Sequence, residues 1–69
     1  MNNWEYMIVS PYDAGGQLRP WKVNGSELTD WRRGPSIYEY INRLGGQGWE
    51  LVMTREGDFY SEMVFKRPR

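Results

Sequence analysis

Carboxylates are the residues of this chain best placed to do chemistry, because it contains no histidine and no cysteine. Their absence removes the commonest general base, the usual thiol nucleophile, disulfides and thiolate zinc sites. Glu56 and Asp58 form a closely spaced acidic pair, but they flank Gly57, which is typical of a solvated turn. We therefore predict no catalytic residue, no metal site and no cofactor, and we expect that the protein is not an enzyme.

A second group of carboxylates is expected on one face of a sheet. Because side chains alternate along a strand, the expected strand phases place Glu5, Glu50 and Glu62 together. Such neighbours repel one another unless water, arginines of a second copy or a hard cation compensates. Apolar residues share this face, which favours a contact between copies. The predicted interaction surface here comprises Glu5, Met7, Val9, Glu50, Val52, Glu62 and Val64.

The segment 19–33 is a third candidate, because basic residues alternate there with Trp21 and Trp31. This mixture is typical of single-stranded nucleic-acid binding, and it is also common at protein interfaces. The two tryptophans could instead cover the edge of the core. Nine basic residues balance nine acidic ones, whereas nucleic-acid-binding domains are normally basic. A protein contact through Trp21, Trp31, Arg32 and Arg33 is therefore preferred to a nucleic-acid interface formed by Arg19, Lys22, Arg32, Arg33, Lys66, Arg67 and Arg69.

The elements that position these residues follow from hydrophobic patterning. Four segments rich in aromatic and β-branched residues predict strands, at 3–10, 18–23, 49–55 and 59–66. The second should lie at an edge, because Pro20 cannot donate to a ladder. A helix is predicted over 35–45, with a Ser36–Glu39 capping box at its start and Gly45-Gly46 at its end. Residues 26–34 are expected to form a loop.

Alternation also predicts which strand residues meet the helix. The helix presents an apolar stripe of Ile37, Tyr40, Ile41 and Leu44, which must pack against one face of the sheet. The strand residues expected on that face are Trp4, Tyr6, Ile8, Trp49, Leu51, Met53, Phe59, Met63 and Phe65.

Three motifs carry a resemblance to a known family. They are W-E-Y at 4–6, L-G-G-Q-G-W-E-L-V at 44–52 and F-K-R-P at 65–68. With them the chain resembles the bacterial family catalogued as domain of unknown function 4177. The resemblance implies a small α+β fold of a sheet and a helix, and it implies no activity. The stretch from about residue 12 to residue 34 departs from the compact members of that family.

With 69 residues, the chain has room for one domain, 1–69. We predict an α+β fold in the order β-β-α-β-β, with an antiparallel or mixed sheet of three to four strands and one helix on one face. A core of this size rarely supplies more than ~3–5 kcal/mol, so small folds often self-associate. We expect a non-catalytic interaction module that forms a dimer or a larger homo-oligomer. The alternatives are a nucleic-acid-binding accessory protein and a small-ligand module with a pocket between subunits.

The sequence also bears on location. It has no long apolar run and no basic segment followed by an apolar stretch. We therefore expect a cytoplasmic protein that does not contact a membrane.

Overall fold

The structure, a computed structural model, describes residues 3–69. Within this range the strands are β1 (Trp4–Ala14), β2 (Gln17–Val23), β3 (Ser26–Glu27), β4 (Glu50–Glu56) and β5 (Ser61–Pro68). One helix, α1 (Ile37–Gly46), follows a short 3-10 turn, Trp31–Arg33. All the strand pairs are antiparallel, in the order β3-β2-β1-β5-β4. The expected α+β class with one helix is confirmed, but five strands replace the predicted three to four.

Strand β1 is longer than the predicted 3–10, because residues 11–14 continue it. Gly15 and Gly16, with φ of 68° and 81°, make the two-residue turn into β2. The Gly16 N–H also donates to the carboxylate of Asp13 at 2.9 Å. Pro20 pairs with Pro11 in β1, while β3 pairs only with the last two residues of β2. The side of β2 away from β1 is therefore unpaired at Pro20, as its missing N–H requires.

Helix α1 begins where the capping pattern predicts. The Ser36 hydroxyl accepts a hydrogen bond from the Glu39 N–H at 3.2 Å and lies 3.4 Å from the Glu39 carboxylate. The helix ends at Gly46, one residue beyond the predicted end, but Gly45 and Gly46 are helical and the left-handed residue is Gly48, with φ of 90°. The Trp49 and Gly48 N–H groups donate back to Leu44 and Gly45, which is a Schellman motif.

The β4–β5 hairpin differs from the prediction at its turn. The Gly57 N–H donates to the Tyr60 carbonyl at 3.0 Å, so residues 57–60 lie between the strands. Phe59 was expected in the last strand and is instead 98% exposed. In β4, Leu51 pairs with Phe65 and Met53 pairs with Val64, which leaves Val52 as the extra residue of a bulge.

The core lies between α1 and one face of the sheet. Directly opposed residues of paired strands share a face, and Met7 pairs with the buried Phe65, as Val9 does with Met63. The odd-numbered residues of β1 therefore face the helix, and the predicted phase of β1 was wrong. Around Met7, Val9, Leu44 and Phe65 pack the half-buried Val23, Ile37, Tyr40, Ile41, Trp49 and Met63.

The phase predicted for β5 was correct, while the phase of β4 was correct only as far as the bulge. Leu51 lies on the helix side, but Met53, which pairs with Val64, lies on the opposite side because Val52 adds one residue. The expected helix-facing residues Trp4, Tyr6, Ile8 and Met53 instead lie on the face that the helix does not cover.

Candidate functional site

The sheet face opposite α1, here called the uncovered face, carries many exposed apolar side chains. Tyr6 is 61% exposed and Met53 is 47% exposed. The cross-strand pairs of β1, β5 and β4 show which residues of these three strands lie on this face. Its residues are Trp4, Tyr6, Ile8, Glu50, Met53, Arg55, Glu62, Val64 and Lys66.

Two predicted members of the interaction surface are not on any surface. Met7 is 8% exposed and Val9 is 0% exposed, because both pack beneath the helix. Their assignment to an exposed face was wrong, and so was that of Glu5, which lies on the helix side opposite Arg67. Of the predicted set, Glu50, Glu62 and Val64 do share the uncovered face, with Val52 exposed at the bulge beside them.

Two of the three glutamates have basic partners within the chain. Glu5 accepts a hydrogen bond from the Arg67 guanidinium across the β1–β5 ladder, and the carboxylate of Glu62 lies 4.0 Å from Arg55. Glu50 stands opposite Lys66 in the ladder, but its carboxylate forms no ion pair among the described residues. The three carboxylates also cannot share one ion, since Glu5 lies on the other side of the sheet.

The segment predicted as basic and aromatic forms a cluster of rings. The ring centroids of Tyr12 and Trp21 are 5.1 Å apart, and that of Trp31 lies 5.8 Å and 6.3 Å from them. Trp31 is 6% exposed, whereas Tyr12 is 52% exposed. The Trp21 N–H donates to the Glu27 carboxylate at 3.1 Å. Trp31 is therefore a structural residue, and Tyr12, which sequence reasoning missed, is the exposed part of the cluster.

Each tryptophan has a basic side chain over its ring. The cationic groups lie 4.3–4.6 Å from the ring centroids, within the range of cation–π contacts. The pairs are Lys66 with Trp4, Lys22 with Trp21, Arg32 with Trp31 and Arg67 with Trp49. Much of the basic charge that suggested phosphate contacts is therefore held against the protein's own aromatic rings.

The arginines at the two ends of the proposed basic strip lie at opposite ends of β1. Arg67 and Arg69 lie beside the start of this strand, where Arg69 N–H donates to the Asn3 carbonyl. Arg32 belongs to the turn whose Trp31 contacts Tyr12, near the other end. The stretch of β1 from Trp4 to Tyr12 is about 26 Å long at ~3.3 Å per residue. Arg67 and Arg69 therefore do not lie beside Arg32.

A depression of about 820 Å³ opens at one end of the uncovered face. Ile8, Tyr12 and Trp21 form one wall, and Phe59 and Tyr60 of the β4–β5 turn form another. Polar groups lie among them, including Lys22, Arg55 and Glu62. The sequence prediction placed Phe59 in a strand and therefore missed this wall. Two adjacent aromatic residues, Phe59 and Tyr60, directly follow the turn residues Gly57 and Asp58, and this pattern could have indicated it.

Strand β4 is the longer of the two edge strands. It has seven residues, all of them exposed, against two in β3. Leu51 and Val52 are 40% and 47% exposed, because α1 lies nearer to β2 than to β4. Apolar side chains and an unpaired backbone edge therefore meet along this strand.

Among residues 3–69 there is no group of three or more acidic side chains arranged to hold a metal ion. Across the same residues, no helix has the length and apolar character needed to cross a membrane.

Comparison with known proteins gave no match: no family model fits the sequence, and neither a curated protein nor a solved structure is significantly similar. The resemblance carried by the W-E-Y, G-W-E-L-V and F-K-R-P motifs therefore stays a prediction.

Proposed function

We propose that this chain is a small, non-catalytic interaction module that associates with a second copy of itself. The carrying observation is the balance of apolar side chains. Five hydrophobic residues are buried, while eleven large ones are exposed within the described part of the chain. A core so small supplies little stability, and association would bury part of what is exposed.

The dimensions of the molecule support the same proposal. A compact 8.2 kDa monomer exposes about 4,500 Å² by the usual scaling, whereas this chain exposes 5147 Å². Its radius of gyration is 12.3 Å, against ~11 Å for a compact domain of this length. The chain therefore exposes more surface, and is more extended, than a compact monomer of its mass.

The contact is best sought at β4. Leu51, Val52 and Met53 are consecutive and exposed, and they lie at an unpaired sheet edge. A second copy suits this surface because the chain has no net charge and because two residues of opposite charge, Glu50 and Arg55, stand on either side of it in the sequence. Self-contact therefore brings no overall repulsion.

Light scattering over a wide concentration range tests the proposal. We expect a mass of at least twice 8.2 kDa for the natural chain. Replacing Val52 with Glu should return the mass to that of one chain, because a charge would be placed inside the contact. Tyr38→Glu is the matched control, since Tyr38 is 74% exposed on the helix, and it should leave the mass unchanged. A natural chain that stays monomeric at every concentration would refute self-association.

A nucleic-acid-binding function is less well supported. Arg67 and Arg69 lie at the opposite end of β1 from Arg32, and four of the basic side chains are stacked on tryptophan rings. Filter binding with a single-stranded oligonucleotide at low salt distinguishes this function from a protein contact. Retention that is lost in an Arg32→Ala and Arg33→Ala double variant would favour the nucleic-acid hypothesis over ours.

Small-ligand binding is a second candidate function, favoured by the depression beside β4. Arg55 of β4 lines it, so a chain docked on β4 would lie next to its open side. An apolar probe such as anilinonaphthalene sulfonate should fluoresce on binding there. We expect Tyr60→Ala to weaken that signal and Tyr38→Ala to preserve it. Equal signals from both variants would place the probe elsewhere.

A further inference from the structure

Resting on the proposed self-association, we infer that two copies join edge to edge through antiparallel pairing of β4 with β4, in one register. In that register Glu50 stands opposite the partner's Arg55, and Leu51 stands opposite the partner's Thr54. The sheet would then continue from one chain into the other across a two-fold axis. The occupant of this edge is thus a second copy of the chain.

The first support is the state of the edge itself. A long edge strand with apolar side chains is a template for pairing, and proteins usually shorten or cover such edges. At the other edge, β3 has only two residues. At β4, seven residues are exposed, and no described element lies beyond them in the sheet.

The bulge at Val52 favours a second copy of the chain at this edge. A regular strand added to β4 would leave one residue of β4 without an opposite number, as β5 does at Val52. A second copy of β4 carries the same extra residue. Val52 and Met53 of one chain can therefore stand opposite Met53 and Val52 of the other, with no residue left over.

The order of faces along β4 is symmetric about the bond between Val52 and Met53. Moving outwards from that bond, Leu51 and Thr54 both lie on the helix side, since they pair with Phe65 and Met63. Glu50 and Arg55 both lie on the uncovered face. A two-fold axis that passes between the two strands at the level of that bond therefore sets like faces against each other. A slip of one position either way places residues of opposite faces together. An axis level with the bond between Leu51 and Val52 would also match faces, with Glu50 opposite Met53, but it would leave Glu50 and Arg55 without charged partners.

Charge supports the same register. Glu50 and Arg55 are the only charged residues between positions 50 and 55, and they have opposite signs. The two-fold axis brings each beside its opposite in the other chain, which gives two favourable cross-strand pairs. Arg55 is free to reach across, because its side chain is 55% exposed and its contact with Glu62 is long, at 4.0 Å.

Charge reversal tests the register. Glu50→Arg places two arginine pairs across the contact, and Arg55→Glu places two glutamate pairs. The dissociation constant of each variant alone should be more than about tenfold higher than that of the natural chain. Mixed together, the two variants should form a heterodimer, because every cross-strand pair is again opposite in charge. Native mass spectrometry of the mixture, with one variant isotope-labelled, measures this directly.

Asp58→Arg is the matched control for Glu50→Arg, because it makes the same change of charge in the turn, outside the paired residues. It should associate as the natural chain does. Far-ultraviolet circular dichroism checks that each variant is folded before mixing. A natural chain that dimerises while the two variants neither weaken singly nor recombine when mixed would overturn this register and leave self-association standing. A natural chain that is monomeric would overturn both.

Discussion

The guanidinium group of Arg67 lies over the ring of Trp49, with 4.3 Å between Cζ and the ring centroid. The same group donates to the Glu5 carboxylate and, at 3.0 Å, to the Gln47 carbonyl. One side chain of β5 thus contacts β1, the end of α1 and the residue that enters β4. It therefore joins Glu5 of the first Trp-Glu motif, Trp4-Glu5, to Trp49 of the second, Trp49-Glu50. The two motifs have opposite orientations, because Trp4 lies on the uncovered face and Trp49 packs against the core.

Removing this side chain should cost stability. We expect Arg67→Ala to lower the free energy of unfolding by about 1–2 kcal/mol, because a half-exposed ion pair and a cation–π contact are lost together. Urea denaturation measures the change. Arg69→Ala is the control, since only the backbone N–H of Arg69 makes a hydrogen bond, to Asn3. Equal loss in both variants would contradict a role for the contact with Trp49.

A charged side chain should have opposite effects on folding at two adjacent positions of β1. Val9 is 0% exposed beneath the helix, so Val9→Asp should unfold the chain, because burying an unpaired carboxylate costs more than the ~3–5 kcal/mol available. Ile8 is 36% exposed on the uncovered face, and Ile8→Asp should remain folded. Circular dichroism distinguishes them. The reverse outcome would restore the strand phase predicted from sequence.

Asn24 makes two contributions that substitutions can separate. Its φ of 51° is left-handed, and it exchanges two hydrogen bonds with the Ile8 backbone, one from its own N–H and one through its side-chain carbonyl. Asn24→Gly removes only the side-chain bond, which should cost about 1 kcal/mol. Asn24→Ala adds a further ~1–2 kcal/mol for the left-handed conformation. Thermal unfolding should rank the natural chain above Gly and Gly above Ala; equal losses would argue against the strain.

Glycine is required at position 57 by the side chain of Tyr60 and not by a left-handed backbone conformation. A Cβ atom there would overlap the Tyr60 ring, which packs against the glycine. Gly57→Ala should therefore swing Tyr60 away and reshape the depression, with a stability loss under about 1 kcal/mol because that ring is half exposed. Nuclear Overhauser contacts between residues 57 and 60 report the ring position. Gly45→Ala, where a Cβ meets nothing, should leave the turn unchanged.

Local signals in the sequence predicted most of the elements. The helix start followed from Ser36 and Glu39, since a cap depends on groups only three residues apart. The helix end was predicted to within one residue, but the left-handed glycine that follows it was misplaced by two to three positions, because three glycines between 45 and 48 could each have adopted that conformation. Strand β3 was missed, because two residues are too few to show an alternating pattern. They pair with β2 only because the Asn24-Gly25 turn reverses the chain.

The candidate site was predicted less well than the fold. Glu62 and Val64 were correctly placed, because the pattern of β5 alternates clearly, and Glu50 was correctly placed because it precedes the bulge in β4. Val52 is exposed but is the bulge residue itself, which the alternation did not predict. Met7 and Val9 were misplaced, since β1 has apolar residues at both even and odd positions. The position of Tyr12 beside Trp21 and Trp31 depends on contacts between distant residues, which local patterns do not contain.

The sequence by itself determined the size, the neutral charge, the absence of histidine and cysteine, and the helix and long strands, because these depend on composition or on neighbours in the chain. Only the tertiary structure decided which way each Trp-Glu motif faces. Glu5 pairs with Arg67 and Glu50 pairs with Lys66, which are adjacent on β5 and so point to opposite faces. An alternating strand with apolar residues in both phases fits either face, and packing against α1 decides between them.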